Sequence, residues 1–341
     1  MSTNSNPESE LRSHRHPNPW KPILKDHIAI ASAHTSAIEF SLATISAPEP
    51  SKGIPFPTPR LRTLVFRGFW LELPENDKNP HWAKLNPQVR ARQDNAGGWE
   101  SEILTFTTDA RMHKATSEIF YSPHSGNENL PDILCVEHAR LWGTPAGGGQ
   151  LTTTGGGAWV EACFWFKDPP AQTQWRVGGR CYLLALEDIE NVNLPYVKEV
   201  RRRIEDRVCA PGDAEGGVSY REEILAHFSN LSPGLRASFA GAERGDVGGA
   251  VQVRSGEPLP EGYKLPETVE GLSNEETVPF GGMDGGRGEV ARKHFRVGLI
   301  IPARVDRVDL GERGGAGRRW VYTLEGQGKE SRRWVEKEAW P

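Results

Sequence analysis

Cysteine is scarce in this chain, and what little there is lacks the spacing of a metal site. Cys135, Cys163, Cys181 and Cys209 lie 28, 18 and 28 residues apart. No CxxC is present, and no Cys/His pairing suggests zinc. They read as free thiols of a reducing compartment. Long apolar runs are missing too: no window reaches the eighteen consecutive apolar residues of a spanning helix. The first nineteen residues, MSTNSNPESELRSHRHPNP, lack the apolar stretch of a secretory signal and contain glutamates. A cytoplasmic protein without a membrane segment is expected. Excess positive charge is absent, with a formal net charge of −4, which argues against a nucleic-acid partner. No Gly-rich phosphate fingerprint follows a strand and no GxSxG elbow occurs, so neither a dinucleotide fold nor an α/β-hydrolase is indicated.

What is abundant is glycine (37), proline (26) and tryptophan (11). That balance suits a β-rich core interrupted by long loops. Residues 1–18 read as a disordered polar tail. Residues 20–35 space Trp20, Ile23, Leu24, Ile28 and Ala31 on one helical face. Residues 37–45 alternate Ile38, Phe40, Leu42 and Thr44 toward one side, a strand pattern. Further strands are predicted over 59–73, 102–107, 158–167, 172–186, 295–310, 318–324 and 332–338. A bulge or bend is expected at Gly178–Gly179. Helices are predicted over 110–120, 197–208, 221–228 and 230–239, the last opened by Ser232 with Pro233 at its first position. Polar, Gly/Pro-rich insertions cover about 74–99, 122–157 and 241–292. With no regular strand–helix alternation, the expectation is a mainly β fold with flanking helices, an antiparallel barrel, occupying 19–341 as a single domain.

Two stretches carry candidate chemistry. In Pro59–Leu73, PRLRTLVFRGFWLEL, both strand faces are apolar enough to be buried, yet each carries a guanidinium, Arg62 or Arg67. Buried arginines need anionic or hydrogen-bonding partners. About 16 Å of extended chain separates them, the reach of an elongated phosphorylated cofactor. In Thr105–Lys114, TFTTDARMHK, a strand ends in Thr107 and Thr108 before a helix start, whose unpaired amides favour an anion. Arg111 and Lys114 share a face there. The histidines fit no site: His14, His16, His27 and His34 cluster near the N-terminus with the first pair in the tail, and His227 and His294 read as ordinary helix and strand residues.

Together these runs resemble the pyridoxamine 5′-phosphate oxidase-like FMN-binding split barrels, and within them the Alr4036-type branch. The resemblance rests on RTLVFRGF, FTTDARxxK, QWRVGGR, LSPxxRASF and FRVxxxxPxxVDxxDL followed by RWVY, in that order. It implies an antiparallel split β-barrel that is a homodimer with FMN at the subunit interface. It also implies that Arg62, Thr63, Leu64, Val65, Phe66 and Arg67 lie along FMN, that Thr107, Thr108, Arg111 and Lys114 hold its phosphate, and that Gln174 and Arg319 contact it. His113 stands where an arginine is usual. The R-L-H element that grips a pyridoxal-type phosphate is replaced by Gly315 and Gly317, which speaks against vitamin B6 phosphate oxidation. The expected function is therefore an FMN-dependent oxidoreductase acting on a small molecule of unknown identity. A non-catalytic flavin carrier is the alternative, and a barrel binding a partner protein or single-stranded nucleic acid the third.

Overall fold

The computed structural model describes residues 18–35, 37–74, 98–112, 115, 118–119, 154–167, 172–209, 218–239, 287–311, 316–326 and 331–341. The expected tail and most of the three insertions fall outside these residues, as do His113, Lys114, Gly315 and residues 116, 117 and 120; of the helix predicted over 110–120, residues 110–112 form a turn instead.

The strands are β1 (Glu39–Ser46), β2 (Thr58–Val65), β3 (Gly68–Phe69), β4 (Glu100–Ser101), β5 (Leu104–Asp109), β6 (Gly155–Phe166), β7 (Thr173–Leu184), β8 (Val208–Cys209), β9 (Phe295–Asp309), β10 (Arg318–Glu325) and β11 (Arg333–Ala339). The helices are α1 (Lys21–Ser32), α2 (Pro195–Glu205), α3 (Tyr220–Ser229), α4 (Pro233–Ser238) and α5 (Arg287–His294). The fold class is as expected, mainly β with few helices, and all strand pairs are antiparallel. Two differences are local. The helix predicted over 197–208 stops at Glu205, because Val208–Cys209 pairs with β4. Helix α5 occupies the end of a stretch read as insertion. No helix among the described residues is long and apolar enough to cross a membrane.

β9 is the spine of the fold. One of its edges pairs with β7 from Val297 to Asp309. The other edge is divided, with β5 along Phe295–Ile300 and β10 along Arg304–Asp309. The register with β7 shifts between Gly178 and Gly179, as the glycine pair suggested. A Cβ on Gly179 would sit 2.1 Å from the Ile301 carbonyl oxygen, so only glycine allows the strands to approach there.

The stretch predicted as one strand over 59–73 is broken, and the break closes the barrel. β2 pairs with β1, and the Phe66 N–H still donates to the Ile38 carbonyl (2.8 Å). The next N–H, that of Arg67, donates instead to Thr105 on β5 (2.9 Å). Gly68 takes φ +115°, and a Cβ there would meet Pro74 at 2.7 Å. β3 then pairs with β5, so a ring runs β1–β2/β3–β5–β9–β7–β6–β1. Its wall is split where β2 hands over to β3. The expectation that both faces of β2 are buried is not met: Leu61 is 70% exposed and Thr63 is exposed. β2 lies at the end of the hydrogen-bonded strand order, which leaves its outer face to solvent.

Phe40, Leu42, Phe106, Val160, Phe164, Trp175, Val177 and Ile300 fill the ring. A second core, with Trp70, Val197, Ile224, Phe228, Phe295 and Val297, packs the helices against the sheet. α1 starts where Asn18 Oδ1 accepts from the Trp20 and Lys21 amides (3.2 and 3.0 Å). Glu102 joins three distant parts, accepting from Asn18 (2.8 Å), the Trp334 indole (2.6 Å) and Arg207.

Candidate functional site

Of the cations that the sequence singled out, two are already neutralised within the chain. Arg62 occupies an inward-facing register opposite Leu42. Its Nη1 lies 2.6 Å from Oε2 of Glu118, and its Nη2 donates to Oε1 at 2.8 Å. Glu118 is 1% exposed and also accepts from the Thr44 hydroxyl. Arg111 forks onto Asp109, with Nε to Oδ1 at 2.9 Å and Nη2 to Oδ2 at 2.5 Å, and donates to the Phe239 carbonyl at 2.9 Å.

Arg67 is different. Its side chain is half-buried, its Nε is buried without an acceptor among the described residues, and burial pulls its pKa down. A guanidinium desolvated without compensation is unfavourable, so this donor set has the chemistry of a site for an oxyanion. Thr107, half-buried on β5, offers a hydroxyl that makes no hydrogen bond to a described residue. Thr108 is buried and turns its hydroxyl toward its own neighbours, the Asp109 carbonyl (3.4 Å) and Met112 sulfur (3.6 Å). Thr63, Leu64, Val65 and Phe66 form the strand end and handover described above, with Phe66 packed into the ring core.

Gln174 and Arg319 are brought together elsewhere. Both register with Val308 on β9, and Gln174 also registers with Trp165 on β6, so the row Trp165–Gln174–Val308–Arg319 shares the outer face of the sheet. Arg319 is held on Asp306, at 3.0 Å through Nε and 2.6 Å through Nη2. The Arg67–Thr105 junction registers with Leu299. Nine residues of β9, about 30 Å of strand, separate it from the Gln174–Arg319 row.

The residues missed by sequence reasoning are those that surround Arg67. His227 on α3 is 1% exposed and stacks on Trp70 at 5.8 Å. Its Nδ1 faces the Glu223 carbonyl (3.0 Å), which only accepts, so Nδ1 carries the proton. Nε2 lies 3.2 Å from Thr105 Oγ1, whose hydroxyl donates to the Gly68 carbonyl at 2.8 Å. Glu223, one turn earlier, is fully buried; its Oε1 accepts the Leu71 N–H (3.1 Å) and its Oε2 has no partner among the described residues. Leu71 has φ +66°, a costly conformation for leucine that this bond holds in place. The i,i+4 Glu/His pair on a predicted helix was the available signal.

Burial dominates both titrations. It pushes the Glu223 carboxyl up to about 8 and the His227 imidazole down to about 4, where Arg67 adds to the depression. The two signs oppose. An acid with a raised pKa costs stability as pH climbs from its unfolded value of about 4.5 through 8, while a histidine with a lowered one costs stability as pH falls from about 6.5 through 4. Glu223→Gln keeps an acceptor for Leu71 and has no proton to lose. The variant is expected to be more stable than the parent at pH 8 by on the order of 3–4 kcal/mol, to lose that margin near pH 4.5, and to show the acid limb of His227 unmasked. Denaturant melts across pH 4–9 check this; parallel pH profiles for parent and variant would contradict it.

Three comparisons bear on this geometry. Residues 17–185 match the family model described as pyridoxamine 5′-phosphate oxidase, FMN-binding domain. Among solved structures, a pyridoxamine 5′-phosphate oxidase-related, FMN-binding protein from Nostoc punctiforme is similar at 18% identity, covering 95% of this chain and 98% of that one, with a TM-score of 0.43. PhzG from Burkholderia lata, in complex with tetrahydrophenazine-1-carboxylic acid, is similar at 10% identity over 95% and 94% of the two chains, with a TM-score of 0.35. No curated protein sequence matches.

Proposed function

We propose, on the premise that residues 17–185 belong to the pyridoxamine 5′-phosphate oxidase FMN-binding domain family, that this chain binds FMN as a homodimer and acts as a flavin-dependent oxidoreductase on a small molecule. The observation that carries the reading is Arg67, a buried guanidinium with an unpaired donor at the split in the barrel wall. It fits the phosphate of a mononucleotide, with Thr107 two residues along β5 from Thr105, the acceptor of the Arg67 N–H. Arg62 and Arg111 join such a site only by exchanging a carboxylate for the phosphate. Bound there, FMN supplies reversible acceptance of a hydride.

The homodimer is supported by the spread of the candidate residues. Arg67 and the Gln174–Arg319 row are too far apart along β9 for one mononucleotide within one protomer, so a two-fold partner is proposed to bring its own row to Arg67. The outer face is suited to an isologous contact. Leu61, Ala43 and Glu161 register across β2, β1 and β6, and Leu61, Trp159 and Trp165 are 70%, 50% and 42% exposed. Residues 19–341 are proposed to act as one cofactor-binding unit. The free thiols of Cys163, Cys181 and Cys209 suit a reducing cytoplasm.

Vitamin B6 phosphate oxidation is not proposed, because Gly315 and Gly317 offer no charged donor where that substrate's phosphate would be gripped. The same loss favours, as a second reading, a flavin carrier without turnover. Mass identification of the small molecule that copurifies tests the first claim. A colourless protein that takes up no FMN would end it. Anaerobic bleaching by NADPH and reoxidation in air separate enzyme from carrier.

A further inference from the structure

The buried hydrogen bonds around His227 do not close with a neutral ring. Thr105 has one hydroxyl proton and two acceptors within reach of it, the Gly68 carbonyl at 2.8 Å and His227 Nε2 at 3.2 Å. The shorter bond goes to Gly68. Nδ1 already gives its proton to the Glu223 carbonyl at 3.0 Å, so Nε2 of a neutral imidazole turns a lone pair toward the Thr105 oxygen. Both residues are buried, where an unmet polar contact is costly. A second ring proton completes the row. Nε2–H then donates to Thr105 Oγ1, Thr105 donates to Gly68, and Nδ1–H keeps the Glu223 carbonyl.

Burial and the charge of Arg67 keep that second proton off, pushing the imidazole down to about 4. The Glu223 carboxyl, with Oε1 3.7 Å from Nδ1, is neutral below about 8 because it is buried, and the Leu71 N–H engages it. Trp70, stacked on the ring at 5.8 Å, carries no charge. An anion can cancel only one of these influences, the charge of Arg67. The arginine and the histidine also share Thr105. Its carbonyl accepts the Arg67 N–H at 2.9 Å, and its hydroxyl holds the carbonyl of Gly68, the residue with φ +115° at the split in the wall. Thr105 thus clasps the backbone on either side of the Arg67 side chain.

We infer that His227 is a positioning residue of the Arg67 site, and that an oxyanion bound by Arg67 enters together with one proton from solvent, held on His227 Nε2. The anion cancels the guanidinium charge that opposes the imidazolium. The imidazolium in turn firms the Thr105–Gly68 clasp from which Arg67 projects. Because the anion-bound protein holds more protons than the empty one, binding strengthens as pH falls from 7 toward 5. The inference rests on the proposed phosphate site at Arg67 and deepens it by making its occupancy proton-linked.

Inorganic sulfate is the probe, because it stays a dianion across this range while a phosphate monoester changes charge. Calorimetric titration of the full-length protein, freed of bound small molecules, in buffers of different ionisation enthalpy counts the protons taken up per sulfate. The parent is expected to take up about half a proton near pH 5.5 and to bind sulfate about fivefold or more tighter at pH 5 than at pH 7. His227→Gln offers Thr105 an amide N–H that does not titrate, and is expected to match the parent at pH 7 with the proton uptake and the pH slope gone. His227→Leu is expected to weaken sulfate at both pH values. Sulfate bound without proton uptake, an equal pH slope in parent and His227→Gln, or undiminished affinity in His227→Leu overturns the inference and leaves the anion site standing. No sulfate binding, or binding that Arg67→Met leaves untouched, removes the anion site itself and the inference with it. Proton uptake is read on the parent, so the outcome does not depend on a variant folding.

Discussion

Replacing Arg67 by methionine is expected to raise the melting temperature of the flavin-free protein by a few degrees and to weaken FMN retention roughly a hundredfold or more. Both effects follow from one observation, that Nε of Arg67 is buried with no acceptor among the described residues. A desolvated charged donor without a partner destabilises the chain on the order of 1–3 kcal/mol. Methionine fills similar space with no such cost. Losing a charge-assisted bond to phosphate costs about 2–5 kcal/mol of binding, and each 1.4 kcal/mol is about tenfold in affinity. The pairing of a stability gain with a binding loss is the mark of a group kept for a ligand. Thermal melts with and without FMN, and equilibrium dialysis, give both quantities. A less stable apoprotein with unaltered FMN affinity would make Arg67 structural.

Arg62→Met is expected to go the other way. It removes the Arg62 guanidinium from the Glu118 carboxylate, which is 1% exposed and also accepts from the Thr44 hydroxyl. Breaking a buried pair from one side costs about 3–5 kcal/mol. Arg62 is partly open to water, at 23%, so a loss near the lower end of that range is expected. Adding Glu118→Gln to Arg62→Met should recover most of the loss, because the orphaned charge is then gone. The same melts, run on the two single variants and the double, measure the coupling. If instead Arg62→Met folds with full stability and sheds its flavin, the arginine is a phosphate ligand, as the strand motif by itself implied.

Strand positions were readable because alternation and punctuation are local. Phe40, Leu42 and Thr44 face inward as the pattern of 37–45 required, and Gly178–Gly179 marked the bulge. The stretch 59–73 was misread as continuous, since its apolar run conceals a change of partner. Only the positive φ of Gly68 and Leu71, invisible in composition, shows where β2 yields to β3. His227 was passed over as an ordinary helical residue because nothing nearby in sequence announces Thr105 or Trp70 as its neighbours.

The sequence alone determined the β-rich class, the order of the long strands and the resemblance that the family model matches over residues 17–185, all of which depend on side-chain periodicity and motif order. The tertiary structure decided which charges are matched and which are open. Glu118 lies 56 residues from Arg62, Asp306 lies 130 from Arg176 and Thr105 lies 122 from His227. Coulomb energy and desolvation depend on distance through space and on access to water. Neither is written in the spacing of residues along the chain, so two arginines five positions apart, one on β2 and one past its end, sit in opposite environments.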